Sequence, residues 1–196
     1  QSTPVLATIE GVRQVLFATA TGIVSLDRNT GARLWKYPYP FSPYPVALGA
    51  SPLVYSNIVF CAAGYGRGST AARITLSGKT WTATQLWFNS YPALAYRSIW
   101  MTPVCYQGYL YGQFGDSQYL TCPLNCIELE TGNLMWSVSN FGQGGTILVH
   151  NTILTLTEDG QLVLVEPNPN AYIELARFRA FEFSSANPGK CWNSPA

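Results

Sequence analysis

Charge is scarce in this 196-residue chain: Asp, Glu, Lys and Arg make up 11% of it, against 47% apolar residues. That balance excludes a self-repelling, disordered polymer. Eleven basic residues face ten acidic ones, and no run of like charge is long enough to form a footprint on phosphates, so nucleic acid is not an expected partner. Gly, Pro or a polar residue interrupts every apolar stretch well before the roughly 18 residues a membrane helix requires, and no membrane span is expected. The single histidine, His150, precedes Asn151-Thr152 and reads as a β-turn residue rather than a catalyst. Five cysteines, Cys61, Cys105, Cys122, Cys126 and Cys191, form no CxxC pair and have no neighbouring His, so the spacings of zinc sites and haem attachment are absent. The chain opens on Gln1 with neither Met nor a basic-then-apolar leader. The expectation is that a targeting peptide was removed or never formed part of it.

What is abundant is the material of short strands and turns: 17 Gly, 13 Pro and 14% aromatic residues, which points to an all-β fold. A period of about fifty residues organises it. Leu26-Asp27-Arg28-Asn29-Thr30-Gly31-Ala32-Arg33-Leu34-Trp35 aligns without gaps to Ile127-Glu128-Leu129-Glu130-Thr131-Gly132-Asn133-Leu134-Met135-Trp136. A weaker copy ends at Gln85-Leu86-Trp87, and a degenerate one runs from Val163 to Leu175 without its Trp. A second marker, hydroxyl-Pro-apolar, recurs at Thr3-Pro4-Val5, Ser51-Pro52-Leu53 and Thr102-Pro103-Val104, and Ser194-Pro195 opens another copy. The expected repeats are 1–48, 49–99, 100–142 and 143–190 in a single domain, with a further repeat starting at 191–196. Each unit reads as four strands, in the first at 4–8, 12–19, 21–27 and 32–38. Four-stranded units at this period are the blades of a β-propeller.

The Asp-x-x-Thr-Gly-x-x-x-Trp of Asp27 to Trp35, and its copy from Glu128 to Trp136, resemble the blade signature of the pyrroloquinoline-quinone-repeat family, which includes quinoprotein alcohol dehydrogenases and outer-membrane assembly propellers. The resemblance implies four blades of four antiparallel strands, half of an eight-bladed ring. It also implies that Trp35, Trp87 and Trp136 are docking residues between blades. In the family's dehydrogenases the cofactor is pyrroloquinoline quinone with calcium, beside an adjacent-cysteine disulfide. Adjacent cysteines are absent here, and no residue matches a family catalytic position. Two readings follow: a binding or scaffold module acting through a loop face, and, as the alternative, a quinone-dependent alcohol or sugar dehydrogenase or part of one.

Alternation of strand direction places the loops after each second strand and the interblade loops on one face. Tyr65, Arg67, Tyr96, Arg97, Trp100, Asp116, Trp192 and Asn193 lie in those loops, a set suited to stacking on and hydrogen bonding a planar or sugar-like ligand. Gly64-x-Gly66-x-Gly68 sits there too, but no helix pattern follows it, so it reads as a turn rather than a phosphate cradle. Few Lys and Glu among many Ser, Thr, Asn and Tyr suggest an extracellular or periplasmic protein, where Cys122 and Cys126 could close a small loop. Failing that pair, Cys191 or buried free thiols are the alternatives. Half a ring leaves two unpaired ends, so the expected partner is another copy of the chain or the missing half of the propeller.

Overall fold

The computed structural model describes residues 2–41, 48–90, 93–116, 121–183 and 189–195. Part of the interblade stretch 37–49, and Ser117, Gln118 and Tyr119 of the loop after Asp116, fall outside the described residues. The fold is an all-β propeller segment of four antiparallel sheets. The first holds β1 (Val5–Ile9), β2 (Val12–Thr19), β3 (Gly22–Asp27) and β4 (Arg33–Pro38), and the second β5 (Leu53–Tyr55), β6 (Ile58–Ala63), β7 (Gly68–Ser77) and β8 (Thr80–Asn89). A one-turn helix, α1 (Ala93–Tyr96), precedes β9 (Val104–Tyr106), β10 (Tyr109–Gln113), β11 (Leu124–Glu128) and β12 (Leu134–Val138). The fourth sheet is β13 (Gly145–Val149), β14 (Thr152–Leu156), β15 (Gln161–Glu166) and β16 (Ile173–Arg179). Each sheet pairs its strands in chain order, first to fourth.

The repeated motif builds the turn before each outer strand. Asp27 Oδ1 accepts from the backbone N–H of Asn29 (2.9 Å) and Thr30 (2.8 Å) and from the Thr30 hydroxyl (2.9 Å), while Gly31 N–H returns to the Asp27 carbonyl at 2.9 Å. Glu128, Thr131 and Gly132 repeat the arrangement. Both glycines take the left-handed conformation, at φ 72° and 75°, which is why the motif ends on Gly. A bulge at the equivalent point of the third strand, between Ser25 and Leu26, Ala71 and Ala72, Cys126 and Ile127, and Leu164 and Val165, shifts the register of each outer strand. The degenerate fourth copy therefore folds as the others do.

Period-two alternation sends each strand's apolar residues to the two faces of its sheet, and three clusters result, one per blade junction. Ile9, Leu16, Ile23 and Trp35 meet Val59, Cys61, Ala72 and Ile74. Phe60, Ala71 and Trp87 meet Leu110, Phe114 and Ile127. Tyr111, Leu124 and Cys126 meet Ile153, Val163 and Val165. The tryptophans sit at these junctions: Trp87 Nε1 donates across the gap to the Leu129 carbonyl (2.8 Å), Trp136 Nε1 to the Asn168 carbonyl (2.8 Å), and Trp35 Nε1 stays within its own blade on Gln14 Oε1 (2.7 Å). Trp35 and Trp87 are buried, whereas Trp136 is half-buried.

The hydroxyl-Pro marker turns out to stitch the inner rim. Thr3 N–H donates to Ser51 Oγ at 3.1 Å, and Ser51 N–H to Thr102 Oγ1 at 2.9 Å, so the inner strands of blades one and two each start on the hydroxyl of the next blade. At the fourth blade a glycine takes the place: a Cβ on Gly145 would lie 2.3 Å from Ser194 Cα, so the two backbones touch.

The expected bridge between Cys122 and Cys126 is corrected: no disulfide joins them. Cys126 lies within β11 and Cys122 just before it, and four steps along a near-extended chain separate Cα atoms by on the order of 10 Å or more, beyond the reach of a disulfide.

Candidate functional site

The loops after β6, β10 and β14 and the interblade segments emerge on one face, and two groups of side chains form there. The first joins blades two and three. Gly64 and Gly68 are packing glycines, since a Cβ on Gly64 would lie 2.4 Å from Ile99 Cγ1 and one on Gly68 2.2 Å from the Asn89 carbonyl. The turn between them projects Tyr65, which is 55% exposed, and brings Gly66 N–H to Asp116 Oδ2 at 2.7 Å. Arg97 Nη1 lies 3.5 Å from Asp116 Oδ1. Gly115 N–H donates to the Arg97 carbonyl at 2.5 Å, which fixes the Arg97 backbone beside the acid. The Nε atoms of Arg67 and Arg97 are buried with no hydrogen-bond partner among the described residues, as is Asn125 Oδ1, whose amide nitrogen donates to the Ala95 carbonyl at 3.1 Å.

The second group lies where blade four meets the segment after it. Trp100 and Trp192 stack with ring centroids 5.3 Å apart and planes tilted by 46°. Trp100 Nε1 donates to the Gln143 carbonyl at 3.4 Å, and Trp192 Nε1 to Glu158 Oε1 at 2.9 Å. Glu158, its side chain only 1% exposed, also has Lys190 Nζ at 3.6 Å, and its carbonyl accepts from Cys191 N–H at 2.9 Å. Lys190 Nζ rests 5.2 Å over the Trp192 ring. Trp100, Met101, Gly144, Trp192, Asn193 and Ser194 enclose an open depression of about 400 Å³. Arg97 to Met101 is the link between the two groups, since one end pairs with Asp116 and the other carries Trp100.

Of the eight residues expected on this face, Tyr96 is a correction. It is 4% exposed, its ring sits 6.3 Å from Trp87, and its hydroxyl donates to the Gly132 carbonyl at 2.9 Å. The turn of helix α1 directs it into the junction of blades two and three, where burial raises its pKa. Arg67, Arg97, Asp116 and Tyr65 gather in the first group, and Trp100, Trp192 and Asn193 in the second. Glu158 and Gln143 were missed. Glu158-Asp159-Gly160 forms a turn, with Gly160 at φ 90°. The missed signal was phase: Glu158 follows the second strand of its blade as Asp116 does in the blade before.

The carboxylates of this face do not fit the calcium that the resemblance implies beside the quinone. Asp116 faces the Arg97 guanidinium and Glu158 faces the Lys190 ammonium, and each cation opposes a divalent ion at that carboxylate. Among the described residues no three of His, Cys, Asp or Glu cluster as ligands would.

The solved structure titled europium-containing methanol dehydrogenase is similar to this chain over 95% of its length with a TM-score of 0.60 and 12% identity, but the chain covers only 44% of that protein. That titled as BamB from Moraxella catarrhalis gives a TM-score of 0.41 and 17% identity, over 85% of this chain and 58% of that one. The chain thus spans about half the length of these structures, and the likeness to the first shows the fold alone. No curated protein matches. The family described as outer membrane protein assembly factor BamB matches residues 1–111, more than half of the chain, and the chain belongs to that family, the β-propellers built from pyrroloquinoline-quinone repeats.

Proposed function

We propose that this propeller is a binding module that works through the face described above, in an extracellular or periplasmic setting. The observation that supports the reading is the segment Arg97 to Met101, which ties a partly exposed ion pair to a tryptophan-lined depression, so polar and stacking contacts are offered side by side. Asp116 and Glu158 are held by cations and backbone or indole N–H groups, which gives them the character of anchors rather than of a general base poised for proton transfer. The cover for the two end blades, a second copy or the other repeats of a full ring, belongs to the same proposal.

The test is a titration of the protein with pyrroloquinoline quinone and Ca²⁺, followed by alcohol in the presence of a redox dye, with indole fluorescence read throughout. Saturable quenching that is lost in Trp192→Ala, with no dye reduction, supports a binding face. Alcohol-dependent dye reduction establishes the dehydrogenase reading instead and overturns this one.

A further inference from the structure

The outer strands of the four blades are not protected alike. An edge strand shows a row of unpaired N–H and C=O groups, and shortness, charge or proline normally blunts it. Strand β4 carries Arg33, Lys36 and Pro38, β12 is only five residues long, and β16 carries Glu174, Arg177 and Arg179. Strand β8 is ten residues long, TWTATQLWFN, with no charge, Pro or Gly in it. It is the last strand of its sheet.

The hairpin geometry says which backbone groups are open. Ser77 pairs with Thr80 across the two-residue turn at Gly78-Lys79, and Thr75 with Thr82 and Arg73 with Thr84 follow. The closing pair of such a turn is hydrogen-bonded, and bonded pairs alternate along an antiparallel ladder. The amide groups of Thr80, Thr82 and Thr84 therefore point into the sheet, and those of Trp81, Ala83 and Gln85 point out of its edge. Trp81 and Ala83 rest their side chains on the core between blades one and two, whereas Thr80, Thr82 and Thr84 are exposed.

We infer that β8 is a self-pairing edge, joining β8 of a second copy antiparallel about a twofold axis at Ala83. The occupant follows from the strand's own symmetry. About Ala83 the outward residues match, Trp81 opposite the partner's Gln85 and Ala83 opposite its equivalent, so every open amide in the stretch finds a mate. On the exposed side Thr82 falls opposite the partner's Thr84, and cross-strand threonine pairs are favourable. With no charge in the strand, nothing repels the second copy, and the pairing continues the β5–β8 ladder across the edge. This surface is on the propeller's outer rim, away from the loop face and from the uncovered faces of the two end blades.

Light scattering on a sizing column, over a range of concentration, tests it. The wild type should reach twice the chain mass of 21.5 kDa, and Thr82→Lys with Thr84→Lys, both exposed, should return it to one chain mass with unchanged circular dichroism. Ala83→Pro is the second variant: its lost N–H points outward, so the β7–β8 ladder is intact while pairing is blocked. A wild type that stays at one chain mass at the highest concentration overturns the inference, as does a dimer that survives both variants. So does a dimer abolished by Leu164→Glu on blade four and untouched by the β8 changes.

Discussion

Burying a thiol among aromatic and aliphatic side chains penalises its anion, and at Cys126 and Cys105 that penalty outweighs the hydrogen bonds from Tyr111 and the Gly108 backbone that favour the anion. Burial pushes Cys126 up to about 12 and Cys105 to about 11, and raises Cys61 further still. These groups keep their protons in the folded chain at a pH where the unfolded chain has lost them. Their contribution is fully present below the ordinary value near 9 and is lost as pH rises through the folded values, so stability falls across the window from about 9 to 12. Urea midpoints measured at pH 8 and pH 10.5 should show the drop, and Cys126→Ala should lessen it; a midpoint independent of pH contradicts the assignment. The same burial predicts that a thiol reagent at pH 8 finds Cys61 and Cys126 unreactive until denaturant is added. The sequence showed five cysteines without showing this, because whether two thiols meet depends on whether the chain between them is extended. Tyr96 was illegible for a related reason: an interblade loop carries no alternation to say which side chains turn inward.

At the scale of the element, the Thr-Gly turn occurs twice with the same backbone and different surroundings. Gly31 and Gly132 both sit at positive φ, but a Cβ on Gly31 meets nothing within 4 Å, whereas one on Gly132 would lie 2.5 Å from Trp87 Cδ2. Gly31→Ala pays only the left-handed penalty, about 1 to 2 kcal/mol. Gly132→Ala adds a clash with a docking indole that cannot swing away, because its Nε1 is bonded to the Leu129 carbonyl at 2.8 Å, and overpacking of this kind costs roughly 1 to 3 kcal/mol more. Thermal melting of the two variants should separate them by several degrees, with Gly132→Ala the lower; equal melting would mean that Trp87 does not pack on this turn. The strands themselves were legible almost to the residue: the first unit was read as 4–8, 12–19, 21–27 and 32–38 and folds as 5–9, 12–19, 22–27 and 33–38. Alternation and turn chemistry act over two to four residues, and the sequence displays both. The recurring bulge that turns each outer strand has no such local signature.

For the whole molecule the decisive fact is that three junctions close four blades and two faces are left over. On blade one the free face carries Leu6, Val15, Phe17, Val24 and Leu26, none of them fully buried, with Leu6 69% exposed. On blade four, cross-strand pairing puts Leu154, Leu164 and Ala176 on one side together with Leu162 and Phe178, and Phe178 is 52% exposed. Their counterparts on the inner blades, such as Phe60 and Tyr111, are 1% exposed. The difference is the missing neighbour, since every blade is built to be covered on both sides. Contiguous apolar area of this kind drives association. The chain on its own should bind a hydrophobic dye, and Leu164→Glu with Phe178→Glu should reduce that binding while leaving the melting temperature nearly unchanged, because both side chains face away from the packed junction at Ile153, Val163 and Val165. Dye binding that is absent from the wild type at one chain mass would show the two faces already closed on each other, a four-bladed ring. Dye binding present and unaffected by the two changes would place the exposed apolar surface elsewhere and remove the case for a covering half.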